Sequence, residues 1–174
     1  LNTSVALFRV EQDNLAVADG NKLAPNGYQA YKAENGTTSE GVEFEVNGQL
    51  TEGWQITGGY SYSVSFNDEH QRIVTEIPRN SVKLFTTYRL PGELDKLTVG
   101  GGLNWQSEAG YDLSYATTQG SYALASLMAR YQITPALSAS VNVNNLFDKE
   151  YYTTTAAGLY GAPRNVMTTL RYAY

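Results

Sequence analysis

Along residues 137–147, LSASVNVNNLF, apolar and small polar side chains take turns. Leu137, Ala139, Val141 and Val143 fall on one side of an extended chain, and Ser138, Ser140, Asn142 and Asn144 on the other. Successive side chains of a strand point to opposite faces, so this period of two predicts a β-strand with unlike faces. The same rhythm recurs. In 54–66 the even positions are Trp54, Ile56, Gly58, Tyr60, Tyr62, Val64 and Phe66, against Gln55, Thr57, Gly59, Ser61, Ser63 and Ser65. Val42, Phe44, Val46 and Leu50 oppose Glu43, Glu45, Asn47 and Gln49; Val82, Leu84, Tyr88 and Leu90 oppose Ser81, Lys83, Phe85 and Arg89. Leu97, Val99, Leu103 and Trp105 oppose Thr98, Gly100, Gly102, Asn104 and Gln106. Alternation and turn chemistry together predict eight strands, over 1–12, 39–50, 54–66, 79–90, 97–107, 120–133, 137–147 and 164–174. No apolar 3.6-residue period persists, so no helix is predicted. Within 1–12, Leu7 and Phe8 make both faces apolar, which predicts a bulge there.

The connections between these strands alternate in length. TEG (51–53), PGELDK (91–96) and TPA (134–136) are tight and rich in turn residues, whereas 13–38, 67–78, 108–119 and 148–163 are long. An up-and-down meander with tight turns at one rim and long loops at the other produces this pattern, as outer-membrane barrels do. With the tight turns at the periplasmic rim, Trp54, Tyr88, Tyr131, Tyr172 and Tyr174 lie on the apolar face near that rim. Tyr60, Tyr62, Phe66 and Trp105 lie on the same face toward the other rim. These read as two aromatic belts at headgroup level, between which the apolar face meets lipid.

The opposite face is mostly Ser, Thr, Gly, Asn and Gln, with Glu43, Glu45, Lys83, Arg130 and Arg171 expected to pair within one network. An eight-stranded barrel is just wide enough for its own side chains to fill. So small a lining predicts a wider barrel, with water or another domain against this face, of which these strands are an arc. Two other architectures compete. A self-contained eight-stranded outer-membrane enzyme or adhesin would pair its first and last strands, and a soluble β-sandwich would bury the apolar face against a second layer.

Composition narrows the class. The 174 residues are 42% hydrophobic and 12% aromatic, with 14 tyrosines and 16 glycines, and the mean hydropathy is -0.35. No run approaches the roughly 18 apolar residues of a membrane-spanning helix, but strands that alternate look soluble on average. A net charge of -5 speaks against nucleic acid as a partner, which calls for a basic face. There is no cysteine. The chain begins at Leu1 with neither a charged nor an apolar leader segment, which reads as a fragment of something longer.

Candidate chemistry is sparse. His70 in NDEHQR, beside Asp68 and Glu69, lacks a second histidine or a positioned nucleophile and reads as a solvated loop. VGGGLNW lacks the Gly-Lys-Ser/Thr of a phosphate loop; glycines inside a strand mark bends or a close neighbour. Asp148 and Glu150 lack the spacing of a calcium loop. NTS (2–4) and NGT (35–37) match the glycosylation pattern, which means little in a bacterial outer membrane. No catalytic or metal-ligating set is assigned.

VNNLFDKEYY (143–152), YGAPRN (160–165) and the closing LRYAY resemble the C-terminal end of TonB-dependent siderophore receptors. FRVEQDNLAVAD (8–19), GWQITGGYSYS (53–63) and TVGGGLNWQS (98–107) are similar to further barrel segments of that family, most of all its hydroxamate and pyoverdine branch. The resemblance implies a transmembrane antiparallel 22-stranded barrel of the bacterial outer membrane, with 1–174 its C-terminal portion and the plug and TonB box absent. It implies a transporter rather than an enzyme, with no cofactor and a ferric siderophore as cargo. The partners it implies are that siderophore, the TonB–ExbB–ExbD complex through the missing N-terminal region, outer-membrane lipid and lipopolysaccharide, and bacteriocins or phage. The plug would be the close neighbour of the strand glycines. Tyr172 and Tyr174 fit the barrel-assembly signal of the family, while Thr169 stands where glycine is common and the last residue is more often Phe. A ferric siderophore arrives chelated, so the mouth needs aromatic and polar groups, not iron ligands. Tyr122, with inward parity, and the loop residues Tyr28, Tyr111, Tyr115 and Tyr160 are the candidates; Trp105 belongs by parity to the belt.

Overall fold

The computed structural model describes residues 1–13, 15–34, 36–73, 77–110, 118–154 and 158–173, with backbone alone at 15–18 and 34. Its strands are β1 (Asn2–Gln12), β2 (Leu15–Leu23), β3 (Gln29–Glu34), β4 (Thr37–Thr51), β5 (Trp54–Phe66), β6 (Arg72–Ile73) and β7 (Asn80–Arg89). They continue with β8 (Leu97–Gln106), β9 (Tyr122–Gln132), β10 (Leu137–Asn144), β11 (Tyr152–Thr154), β12 (Leu159–Tyr160) and β13 (Asn165–Tyr172). A single 3-10 turn at Gly92–Leu94 fills the PGELDK connection.

Each of the eight predicted strands is present and pairs antiparallel with the next, in the order β1-β4-β5-β7-β8-β9-β10-β13, with the short β6 beside β5. β1 and β13 lie at opposite ends of this sheet and do not pair with each other. A closed eight-stranded barrel is therefore excluded. The sandwich fails too: the only buried hydrophobic among the described residues is Ala109, while Val141 keeps 42% and Leu127 49% of its surface exposed. A second layer of the same chain would have covered these side chains.

The register separates the faces as the alternation predicts. Glu45, Gly59, Lys83 and Asn104 form one row and Phe44, Tyr60, Val82 and Trp105 the adjoining one, on the opposite side. A cleft of about 610 Å³ opens on the first side, over Glu45, Thr57, Gly59, Lys83, Asn104 and Ser126. Nine of the twelve residues around that cleft belong to the polar face of five neighbouring strands, with Val46, Gly58 and Leu84 the exceptions. The sheet therefore curves toward its polar side: the polar face is concave and the apolar face convex.

Three expectations need correction. The bulge predicted in the first strand is absent: β1 and β4 pair without a break from Asn2 opposite Asn47 to Gln12 opposite Thr37. Leu7 points outward beside Val42, and Phe8 inward opposite Gly41; a Cβ on Gly41 would lie 2.7 Å from the Phe8 ring. The missing side chain makes room for Phe8, and no extra residue is required. The charged network is likewise absent: among the described residues no ion pair joins Glu43, Glu45, Lys83, Arg130 and Arg171 to one another, whereas Arg9–Glu11, Lys22–Asp19 and Arg89–Asp95 do pair. Glu45 and Lys83 share a row but sit two strands apart, about 10 Å, with only Gly59 between them. Finally, the neighbours that need the strand glycines belong to this chain itself. A Cβ on Gly102 would meet Ser126 Oγ at 2.7 Å and the Phe85 ring at 2.9 Å.

The first long connection also holds a hairpin that the alternation did not predict, β2 paired with β3 as a separate two-stranded sheet.

Candidate functional site

The long-loop end of the concave face is organised by the segment after β10. Asn145 turns the chain with φ 49°, and Asp148 repeats this with φ 53°. Asn and Asp tolerate the left-handed region because their short polar side chains bond locally. Asn145 is 6% exposed; its amide donates to the carbonyls of Lys149 (2.9 Å) and Ala162 (3.1 Å), and its Oδ1 accepts from Lys149 N–H at 2.8 Å. Asp148 Oδ1 accepts from Arg164 N–H at 2.8 Å. Leu146 N–H donates to Ala125 O, which fastens the turn to β9. The two sequence blocks VNNLFDKEYY and YGAPRN are thus one tied unit.

A second tie comes from Gln119, which is 9% exposed. Its backbone exchanges two hydrogen bonds with Ala109, its Oε1 accepts from Tyr152 N–H at 2.7 Å, and its amide donates to Gly120 O at 2.8 Å. Residues 151–152 are therefore held against the segment that leads into β9.

This places Tyr151 on Tyr122. The rings stack with centroids 4.9 Å apart and planes 30° apart, and the Tyr122 hydroxyl donates to Gln106 Oε1 at 3.1 Å. Tyr122 stands opposite Gln106 on the concave side. Gly161 N–H donates to Tyr151 O at 2.8 Å, and a Cβ on Gly161 would fall onto the Tyr151 ring; only glycine allows that approach. Tyr152 turns the other way and meets Tyr160 across the small β11–β12 hairpin, centroids 4.7 Å apart. The two hydroxyls share a hydrogen bond of 3.2 Å. That bond, and then the charge Tyr152 would carry, raise the Tyr160 phenol above the ordinary tyrosine value. The ring of Tyr160 is 67% exposed.

Of the five tyrosines singled out from the sequence, the structure therefore brings Tyr122 and Tyr160 into one loop assembly. Tyr28 lies on the β2–β3 hairpin with 75% of its surface exposed, and Tyr111 and Tyr115 lie outside the described residues. Tyr151 and Tyr152 were missed, although EYY stands inside the quoted motif: a loop residue carries no parity to say where it points.

Beside this assembly a cleft of about 550 Å³ opens on the concave face over Phe8, Ser39, Ser63, Ser65, Arg79 and Glu108. The wall below it carries hydroxyl pairs, Ser39 with Ser65 and Ser61 with Ser81, each at 2.8 Å. Such a surface can hold a bulky, partly polar ligand and stay wet. Among the described residues no group of three or more His, Asp or Glu is placed to hold a metal ion. His70 sits in a turn with φ 59°, its N–H on Asn67 O.

On the convex face Trp54 and Tyr88 meet edge to face at 6.4 Å, and Trp54 Nε1 donates to Thr86 Oγ1 at 2.7 Å. Tyr131 stands between Leu97 and Ala139, and Tyr172 opposite Leu137. Tyr60 and Trp105 flank Val82, about 20 Å along β5 from Trp54. Tyr62 lies opposite Val42, and Phe66 beyond it, past the row in which Arg9, Glu40 and Val64 stand together. Tyr174 lies outside the described residues.

Comparison with known proteins follows the same lines. The family model described as TonB dependent receptor-like, beta-barrel, matches residues 1–146. A ferric-pyoverdine BN7/BN8 receptor of Pseudomonas putida is 55% identical over 175 residues, 100% of this chain and 21% of the relative. The ferripyoverdine receptor of Pseudomonas aeruginosa is 39% identical over 192 residues, 100% of this chain and 23% of the relative. Its crystal structure bound to ferripyoverdine superposes with a TM-score of 0.85 at 40% identity, covering 98% of this chain and 24% of that one. A complex of FpvAI with pyocin S2 gives a TM-score of 0.86 at 38% identity, covering 98% and 24%. The chain thus spans between a fifth and a quarter of the length of these relatives.

Proposed function

This chain belongs to the TonB-dependent receptor β-barrel family, and from that premise we propose that it forms the C-terminal arc of an outer-membrane receptor that imports a ferric siderophore of the pyoverdine class. The convex face, apolar and uncovered, meets outer-membrane lipid and lipopolysaccharide. The concave face borders the lumen. The observation that best supports import over a structural role is the mouth assembly: four tyrosines in two pairs, fixed by Asn145 and Gln119 above a hydroxyl-lined wall.

The mechanism follows from that geometry. Tyr122, Tyr151, Tyr152 and Tyr160 offer flat apolar faces and phenol hydroxyls to an iron chelate, which needs no further iron ligand. The chelate then moves along the Ser-, Gly- and Asn-rich wall, where small side chains leave space and water-like hydrogen bonding. Energy comes from the TonB–ExbB–ExbD complex acting on a plug in the remainder of the receptor. No covalent chemistry is asked of the chain, so the protein acts as a transporter and not as an enzyme. A bacteriocin is a second partner on the outer side, supported by the pyocin complex of the structural relative.

The test uses the intact receptor in its own cells, with radio-iron bound to a purified pyoverdine. Binding at the surface should persist in a strain lacking TonB, and accumulation inside should stop. Accumulation that continues unchanged without TonB would overturn the mechanism.

A further inference from the structure

At the long-loop end of β7 and β8, two opposite charges face the concave side together. Ser81 lies opposite Ser61 on one neighbouring strand and Gln106 on the other. Hydrogen bonds of 2.9 Å from Ser107 N–H to Asn80 O and from Ser63 N–H to Arg79 O carry that register further. Ser63, Arg79 and Glu108 therefore form one row. The parity of Ser81 and Gln106 turns Arg79 and Glu108 inward, and both line the cleft of about 550 Å³ with Phe8 and Ser63. Arg72 borders the same cleft but stands opposite Phe66, in a row of the other parity.

The backbone beneath this pair is fastened. Asn80 N–H also donates to Ser107 Oγ at 3.0 Å. Ala109, next after Glu108, is joined by two backbone bonds to Gln119, whose side chain holds Tyr152 N–H. The charged ends are left open. Among the described residues no ion pair joins Arg79 to Glu108 or ties either to a third group, although opposed residues of neighbouring strands stand only about 5 Å apart at Cα. Both side chains are exposed to the cleft. A lone anion there would meet Glu108 as a rival to Arg79, and a lone cation would meet Arg79. A group carrying both charges matches both.

We propose that this part of the cleft receives a zwitterionic, amino-acid-like arm of the imported chelate. Its carboxylate lies on the Arg79 guanidinium, whose planar fork takes a carboxylate by two parallel bonds, and its ammonium lies on the Glu108 carboxylate. The stem of the arm runs toward the Phe8 ring, which reaches over Gly41 beside Ser63. Gln119 ties this row to Tyr152, so the iron-bearing body and the arm are read at adjoining places. The inference rests on the receptor reading above and adds to it a class of cargo, chelates that end in an amino acid.

The experiment uses the intact receptor in outer membranes of cells lacking TonB, with a radio-iron ferric pyoverdine as the bound label. One ferric hydroxamate chelate with a pendant amino acid competes for the label in four forms: free, as the methyl ester, as the N-acetyl derivative, and with both caps. The free form should compete best, and each cap should weaken competition about fivefold. Arg79→Gln should make the ester cap indifferent and leave the effect of the acetyl cap in place; Glu108→Gln should do the reverse. Neither variant should change the affinity of the doubly capped form, which a merely structural role would move. Equal competition by all four forms at the unsubstituted receptor overturns the proposal, and so does an equal loss of all four in either variant. Absence of competition by every form, while unlabelled ferric pyoverdine displaces the label, overturns it as well. Failure of ferric pyoverdine itself to bind would sink the receptor reading instead.

Discussion

Replacing Asn145 separates hydrogen bonding from backbone strain at the mouth. Its side chain makes three hydrogen bonds, at 2.8, 2.9 and 3.1 Å, from a position 6% exposed. At about 1 kcal/mol each, their loss amounts to about 3 kcal/mol of local stability. Asn145→Gly loses the three bonds but keeps the left-handed φ of 49° free of strain. Asn145→Ala loses the same bonds and adds about 1 kcal/mol for a Cβ in that region. The barrel as a whole has many other ties, so the effect belongs to local opening of the 145–164 unit and not to global unfolding. Hydrogen exchange of the full-length receptor reads it directly at the amides of Lys149 and Gly161. Exchange there should speed up on the order of 100-fold in the glycine variant and several-fold more in the alanine variant, with β8 and β9 amides unchanged. Wild-type protection at Lys149 and Gly161 in both variants would refute the assignment. Wild-type protection in the glycine variant alone would show that backbone conformation, not the amide, holds the unit.

Three further outcomes follow from other parts of the molecule. Gly161→Ala puts a methyl group onto the Tyr151 ring, so the stack on Tyr122 should open and affinity for a ferric pyoverdine should fall by roughly 3- to 10-fold, visible as altered near-ultraviolet tyrosine dichroism; unchanged dichroism and affinity would remove both tyrosines from the site. Val141→Arg on the convex face should lower the folded fraction of receptor, scored by heat-modifiable migration on gels, by about 2–4 kcal/mol if it sits near the bilayer midplane, whereas Ser140→Arg on the concave face should be tolerated; equal damage from both would mean the faces are misassigned. The Tyr160 phenol is raised above the ordinary value of 10.0 by its hydrogen-bonded neighbour Tyr152 and by the charge Tyr152 would carry. A raised folded value means that bond contributes fully below pH 10.0 and is lost as pH climbs past the raised value; Tyr152→Phe should return the absorbance titration of Tyr160 to the ordinary range, and an unmoved curve would show that the shift has another cause.

How much of this was legible beforehand depended on the range over which the determining forces act. The period of two along 54–66 or 137–147 is a property of each strand by itself, so eight strands and their faces were readable. The hairpin over β2 and β3 was not, although Asn26-Gly27 is a turn signal between its strands. Its Gly, Pro and Asp content speaks for a loop, and cross-strand pairing overrode that local preference. The predicted bulge failed for a related reason. Whether Phe8 fits the inner face depends on Gly41, which lies thirty-three residues away in the chain.

The sequence by itself determined that this chain is a run of amphipathic strands with short and long connections in alternation, because side-chain polarity and turn chemistry act over a few residues. The arc, its lipid-facing apolar side and its unpaired end strands were expected from the same pattern, and the strand pairing bears out the open ends only in the fold. The tertiary structure alone decided that Phe8 fits over Gly41 and that Tyr151 rather than a more conspicuous loop tyrosine covers Tyr122. Those outcomes depend on partners brought together from distant positions, Gln119 with Tyr152 and Gly161 with Tyr151. A local pattern says which way a side chain faces; what it meets there is settled by the fold.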